Sequence, residues 1–170
     1  SKPIRIGNAA VDQLQLDIYG GLLDTFWIYA RGENYIDQDT GARLSEIADR
    51  VCRIWREPDC GIWEVRGGPR QFTQSKLMCW VALDRAIRLV EGRYIPRRSV
   101  RSWKRERQAI RRFLETQCWS DSLNSYTRTA GGDELDASVL LMARMGYTEP
   151  ADSRFIQTLS AIQDRLGRGR

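Results

Sequence analysis

The residues with the clearest potential for chemistry lie between positions 58 and 70, in a segment interrupted by glycine and proline. Such interruptions predict a loop, and loops on a rigid scaffold commonly carry reactive groups. Within it, Glu64 lies between Trp63 and Val65, with Ile62 one position further out. Apolar and aromatic neighbours disfavour the charged form of a carboxyl group and raise its pKa, as a general acid at neutral pH requires.

Two residues beside Glu64 suit the recognition of a sugar. Trp63 could stack its indole on a sugar ring, and the guanidinium of Arg66 could bind hydroxyl groups. The residue types alone leave a simpler interpretation open, in which Glu64 is a surface carboxylate beside a core tryptophan. A sequence does not reveal a raised pKa, so chemistry alone makes Glu64 a candidate and no more.

The absence of histidine narrows the possible reaction classes. None of the 170 residues is histidine. This removes the commonest general base, the Ser–His and Cys–His nucleophile pairs, and histidine-built metal sites. The four cysteines form no C-x-x-C pair, and we favour buried thiols in a reducing compartment over disulfide or metal roles. They are Cys52, Cys60, Cys79 and Cys118. If the chain belongs to an enzyme, its chemistry should therefore rest on carboxylates.

Length and hydropathy predict one soluble globular domain. A chain of 170 residues fits a single domain. No apolar stretch approaches the roughly 18 residues of a membrane span, and the N-terminal residues do not resemble a signal peptide. We therefore expect a cytoplasmic protein that has no membrane partner.

Positive charge is concentrated between Arg93 and Arg112, where nine Lys or Arg residues accompany one acid, Glu106. Such a run could bind nucleic acid. We favour the solvated face of an outer helix instead, because Trp103 and Ile110 maintain an apolar stripe through the same segment and no nucleic-acid motif accompanies it.

Apolar periodicity predicts six helical segments and no convincing strand. They lie near residues 9–30, 41–55, 73–91, 99–116, 135–145 and 152–166. The first, third and fifth are apolar over most of their circumference, whereas the second, fourth and sixth carry a narrower stripe. We expect Asp39 or Thr40 to cap the second segment and Gly92 to follow the third. The alternation predicts an all-α fold of helical hairpins in an inner and an outer layer.

Three such hairpins do not close a ring. The inner helices would then keep apolar faces that nothing in this chain covers, and monomers rarely expose such patches. We therefore expect either the rest of a larger domain or a second copy of the chain to cover them.

Four motifs, in order along nearly the whole chain, carry a more specific signal. They are residues 7–10 (GNAA) with 13–20 (QLQLDIYG), residues 61–68 (GIWEVRGG), residues 72–86 (FTQSKLMCWVALDRA) and residues 135–141 (LDASVLL). Together they resemble glycoside hydrolase family 15, the glucoamylase-like family that also contains glucodextranases and bacterial trehalases.

This resemblance implies an (α/α)6 toroid of the six-hairpin glycosidase type. Residues 1–170 would form about half of it, as three helical hairpins with the C-terminal half absent. It also implies exo-acting, inverting hydrolysis of terminal α-glucosidic bonds in an α-glucoside or oligosaccharide, with no metal or organic cofactor. It places the general acid at Glu64 and a sugar contact at Asp17, with Trp63 and Arg66 lining the pocket. The general base would lie outside this chain, so the fragment alone would be inactive.

Two interpretations from other classes remain open. One is a non-catalytic helical module that binds sugars or assembles with a partner. The other is a basic helical protein that uses the run between Arg93 and Arg112 to bind nucleic acid. The enzyme interpretation requires a second carboxylate-bearing loop and further helical hairpins outside this chain.

Overall fold

The protein is built almost entirely from helices. The computed structural model describes residues 13–65 and 67–167. The helices are α1 (Asp17–Arg31), α2 (Gln38–Ile54), α3 (Thr73–Glu91), α4 (Val100–Gln117), α5 (Leu141–Arg144) and α6 (Ser153–Leu166). A 3₁₀ turn at Ala137–Leu140 leads directly into α5. The expected all-α class is confirmed.

One short hairpin was not expected. Strands β1 (Trp119–Ser120) and β2 (Ser125–Tyr126) pair in antiparallel fashion after α4. Each strand contains only two residues, so neither produces the alternation of polar and apolar residues from which a strand is predicted.

Helix α3 is the centre of the core. Every residue from Thr73 to Ile87 is buried, and α1, α2 and α4 pack around the helix. Its predicted bounds are confirmed at both ends. The long apolar run at its middle therefore reflects burial on all sides. The expectation that the inner helices keep uncovered apolar faces is wrong for α3.

Helices α2, α4 and α6 form the outer layer, because each buries a single stripe. In α4 this stripe consists of Trp103, Glu106, Ile110 and Leu114. Most basic side chains between Arg93 and Arg112 lie on the exposed side, as expected of a solvated outer face. The inner and outer layers predicted from stripe width are present.

Helix α1 keeps a large part of its apolar surface exposed. Its buried residues are Gly20, Leu23 and Ala30. Its exposed large apolar residues are Ile18, Leu22, Ile28 and Tyr29, and Ile28 is 64% exposed. The first segment was expected to be buried on more than one side, and the described residues bury only one.

The start of α1 corrects the sequence prediction. The helix begins at Asp17 rather than near residue 9, and residues 13–16 are not helical. Residues 9–12 lie outside the described part of the chain. The backbone of Leu14 and Leu16 is hydrogen-bonded to the loop that follows α2, so these groups do not take part in a helix.

Two other helix ends also differ from the predictions. Asp37, rather than Asp39 or Thr40, caps α2, since its carboxylate accepts the backbone N–H of Thr40 at 2.9 Å. This N–H and the Thr40 hydroxyl hold the pKa of Asp37 below its usual value. Gly92 does follow α3, but the left-handed residue is Arg93, with φ 62°.

The fifth predicted segment is shorter and less regular than expected. The Asp136 carboxylate accepts the backbone N–H of Ser138 at 2.8 Å and thereby starts the 3₁₀ turn. Gly146, at φ 70°, follows α5 closely. Val139 and Met142 are buried, so this short element still lies in the inner layer.

All four cysteines lie within the described residues and carry free thiols, of which three are buried. Burial raises the pKa of Cys52 and Cys79 to about 12 and that of Cys118 to about 11. Thiols with such values are poor nucleophiles at neutral pH, which supports the structural role expected for them. No helix within the described residues is both long and apolar enough to cross a membrane.

Candidate active site

The loop that contains Glu64 is closed at its base by an antiparallel bridge. Asp59 and Arg70 exchange backbone hydrogen bonds of 2.9 and 2.8 Å. Gly61 follows the base at φ 65°, and a Cβ at this position would lie 2.9 Å from the Phe72 ring, so glycine meets both requirements. Glu64 itself adopts φ 47°, which a non-glycine residue rarely does.

The segment before α1 lies along this loop. The Cys60 N–H donates to the Leu14 carbonyl at 3.0 Å, and the Leu16 N–H donates to Asp59 Oδ2 at 3.1 Å. Gln15 Nε2 donates to Glu64 Oε1 at 3.1 Å. These three contacts place the start of α1 beside the loop that carries the candidate acid.

Asp17 is the first residue of α1 and is half-buried. Burial raises the pKa of its carboxyl group above the usual value, and the negative charge of Asp59 acts in the same direction. Hydrogen bonds from the Gln74 side chain and from backbone N–H groups act against this shift. Gln74 of α3 and Asp59 of the loop therefore lie near the Asp17 carboxyl group.

Trp63 is 60% exposed, yet its indole is anchored at one point. Its Nε1 donates to Asp136 Oδ2 at 2.7 Å. Asp136 is buried and also accepts the Ser138 N–H, so both of its carboxylate oxygens have a role. The contact holds a large aromatic face toward solvent in a defined orientation, as stacking on a sugar ring requires.

Glu64 is exposed, and so are its neighbours Ile62 and Trp63. The apolar wall expected around its carboxyl group is therefore not formed by the described residues. Arg66 lies outside the described residues, and its place in the pocket remains a prediction.

Two buried charged residues lie beneath the loop, and of these only Asp59 was not singled out from the sequence. Asp59 is fully buried, and its Oδ2 accepts both the Leu16 N–H and the Ser75 hydroxyl, the latter at 2.7 Å. Lys76 is also fully buried and donates from Nζ to the carbonyls of Trp55 and Glu57, both at 2.7 Å. Burial lowers the pKa of Lys76. A charged residue inside the apolar run of α3 was a signal for such a contact.

The segment between β2 and the 3₁₀ turn also contacts the loop that carries Glu64 and the start of α3. The Thr73 N–H donates to the Arg128 carbonyl and the Ala130 N–H to the Gln71 carbonyl, both at 2.9 Å. This chain segment continues to Asp136, the partner of Trp63. The segments that precede α1, α3 and the 3₁₀ turn therefore meet at one end of the inner layer, and Asp17, Trp63 and Glu64 lie there.

The family model described as "Glycosyl hydrolases family 15" matches residues 1–169. The chain belongs to this family. The match includes the Glu64 loop, the start of α1 and the Asp136 segment. All the elements that meet at the candidate site therefore lie within the region that matches the family model. The roles of Glu64, Asp17, Trp63 and Arg66 within the site remain predictions.

Curated relatives of this family 15 chain carry the name trehalase. The protein from Mycobacterium tuberculosis is 38% identical over 169 residues, which are 98% of this chain and 24% of the relative. Trehalase from Thermoplasma acidophilum is 33% identical, and the match covers 98% of this chain and 28% of that protein. Trehalase 2 from Sulfolobus acidocaldarius is 35% identical, and the match covers 98% of this chain and 29% of that protein. The chain thus spans about a quarter of the length of these relatives. No solved structure is significantly similar to it.

Proposed function

We propose that the protein containing this chain is an exo-acting glycoside hydrolase that cleaves terminal α-glucosidic bonds with inversion. Glu64 acts as its general acid. The observation that carries the proposal is the position of Glu64 in a family 15 chain, hydrogen-bonded to Gln15 and beside the segment that leads into Asp17. Family membership supports the reaction class, and the geometry supports this choice of acid.

In the proposed reaction, Glu64 transfers its proton to the glycosidic oxygen as the bond from that oxygen to the anomeric carbon breaks. A general base outside this chain takes a proton from water, whose oxygen attacks the opposite face of the anomeric carbon. Asp17 would accept hydrogen bonds from sugar hydroxyls, and Trp63 and Arg66 would line the pocket. The reaction requires no metal or organic cofactor.

A second carboxylate must face Glu64 for this chemistry. Inverting glycosidases hold their two carboxyl groups roughly 6.5–9.5 Å apart, with the attacking water between the base and the sugar. We propose that the base lies in a part of the protein outside residues 1–170. The residues that surround the base would also supply the apolar surface that Glu64 lacks here.

We further propose that these 170 residues form three helical hairpins of an (α/α)6 toroid. The inner and outer layers and the uncovered apolar face of α1 support this arrangement. The missing hairpins, or a second copy of the chain, would cover that face. A cytoplasmic location is part of the same proposal.

Trehalose is the first substrate to test, because the relatives described above are named trehalase. Inverting hydrolysis of this α,α-linked disaccharide yields one β-glucose from the attacked unit and one α-glucose from the leaving group. Proton NMR recorded before mutarotation distinguishes this pair from the two α-glucose molecules of a retaining enzyme.

The decisive variant is Glu64→Gln in the full-length protein. Loss of the general acid should lower kcat about 10²–10⁴-fold on trehalose or maltose. The matched control is Glu57→Gln, which alters an exposed glutamate on the same loop. The backbone carbonyl of residue 57 can still accept the hydrogen bond from Lys76 in this variant.

An unchanged kcat in Glu64→Gln would show that Glu64 is not the general acid. A wild-type protein that binds glucosides without hydrolysing any would favour the non-catalytic sugar-binding module instead.

A further inference from the structure

A single carboxyl group connects the two candidate site carboxylates. Asp59 lies five residues before Glu64 at the base of the loop, and its side chain reaches the backbone immediately before Asp17 through the Leu16 N–H. Its second contact, the Ser75 hydroxyl, belongs to the first turn of α3. The loop, α1 and α3 therefore all meet at Asp59.

The backbone contacts around Asp59 continue this connection. The backbone of Asp59 forms the bridge with Arg70 that closes the loop, and the next residue, Cys60, donates to Leu14. A fully buried carboxyl group is costly unless it is hydrogen-bonded, so the two hydrogen bonds to Oδ2 stabilise it in this position. The segment before Asp17 and the loop that carries Glu64 are thus both hydrogen-bonded to Asp59.

We propose that Asp59 is a positioning residue that fixes Glu64 and Asp17 relative to each other. This inference rests on the proposed function, since it is those two carboxylates that Asp59 would position. Asp59 itself does not reach the substrate. Its effect is exerted through the Leu16 backbone on one side and through the loop on the other.

The hydrogen-bond pattern gives a test that separates geometry from charge. Both bonds end on Oδ2, while Oδ1 is buried and accepts no hydrogen bond from the described residues. An asparagine can place its carbonyl oxygen at the Oδ2 position and accept both bonds without a negative charge. An alanine can accept neither.

The experiment compares Asp59→Ala, Asp59→Asn and Ser75→Ala in the full-length protein. We expect Asp59→Ala to lower kcat on trehalose about 10²-fold, as misplacement of catalytic groups by about 1 Å can do. Asp59→Asn should retain kcat to within about tenfold, because it keeps both hydrogen-bond contacts and loses their charge assistance and the negative charge that acts on Asp17. Ser75→Ala should have an intermediate effect.

Two control variants report the effect of losing a half-buried and a buried hydrogen bond elsewhere in the fold. Asp49→Ala removes a carboxylate that accepts from the Trp103 indole between α2 and α4. Ser45→Ala removes a buried hydroxyl that bonds within α2. Both should lower the melting temperature while leaving kcat and KM close to wild type.

Hydrogen exchange provides a readout that does not depend on activity. In Asp59→Ala, the amides of residues 13–17 and of residues 59–65 should both exchange faster than in wild type, and Asp59→Asn should restore both. If the wild-type protein hydrolyses no α-glucoside, the proposed function fails, and these exchange rates alone decide whether Asp59 holds the two segments together.

Three results would overturn the positioning role. The first is a loss of kcat in Asp59→Asn as large as in Asp59→Ala, which would show that the charge matters rather than the position. The second is a kcat in Asp59→Ala that equals that of Asp49→Ala. The third is faster exchange in only one of the two segments, or in neither.

Discussion

Individual side chains at the site are held by partners distant in sequence. Trp63 contacts Asp136 across 73 residues, and Leu16 contacts Asp59 across 43 residues. The candidate residues themselves were identifiable from sequence, because Glu64 follows a tryptophan in a loop and Asp17 lies in a matching motif. Their partners were not, because hydrogen bonds between distant segments leave no local pattern.

The bond between Trp63 and Asp136 gives a prediction at this scale. Asp136→Ala should release the indole and raise KM for the glucoside about tenfold, since a hydrogen bond to a charged group contributes about 1.5–3 kcal/mol. The matched control is Asp121→Ala, which removes the carboxylate that accepts from the Trp119 indole at 2.8 Å in the hairpin after α4.

Steady-state kinetics and the fluorescence of Trp63, taken as the difference from a Trp63→Phe protein, would measure the effect of Asp136→Ala. An equal rise in KM in Asp121→Ala, or an unchanged Trp63 signal in Asp136→Ala, would argue against this role for Asp136.

At the scale of elements, the close approach of α1 to α3 sets the geometry of the inner layer. A Cβ at Gly20 would lie 2.4 Å from the Met78 carbonyl oxygen, so only glycine allows the two backbones to approach this closely. The same face of α1 leads back to Asp17, so the spacing of the two helices also sets the distance of Asp17 from Gln74.

Adjacent glycines in α1 allow a matched comparison. Gly20→Ala should lower the free energy of unfolding by about 1–3 kcal/mol, because the added methyl group meets backbone that cannot move aside. Gly21→Ala should lower it by less, since a Cβ there meets no atom of the described residues within 4 Å and alanine favours helix. Denaturant unfolding of the full-length protein measures both, and a tolerated Gly20→Ala would show that α1 and α3 can separate without cost.

At the scale of the whole molecule, these residues form a core that is complete on one side only. Helix α3 is buried all round, whereas α1 exposes apolar residues on the side away from α3. The chain spans about a quarter of the length of its curated relatives, so there is ample further sequence in those proteins to cover such a face.

Two exposed isoleucines test whether the α1 face is covered in the full-length protein. Ile28→Asp should lower the free energy of unfolding by about 3 kcal/mol, because it would place a charge where an apolar side chain is buried. Ile156→Asp, at a residue 51% exposed on the outer helix α6, should change it by less than about 0.5 kcal/mol.

If Ile28→Asp and Ile156→Asp change the free energy of unfolding by equally small amounts, the α1 face is exposed to solvent in the full-length protein. Light scattering on the wild-type protein would establish whether a second copy or the same chain covers it.

Sequence alone determined the helical class, the inner and outer layers and the loop that carries Glu64. Apolar periodicity and glycine or proline interruptions are local signals, and the bounds of α3 were predicted correctly for that reason. The tertiary structure decided that residues 13–16 lie along the loop rather than in a helix, and that the side chains of Asp59, Lys76 and Asp136 form hydrogen bonds with distant segments around the candidate site. Those choices depend on which distant backbone and side-chain groups meet in the fold, and only the packed structure brings them together.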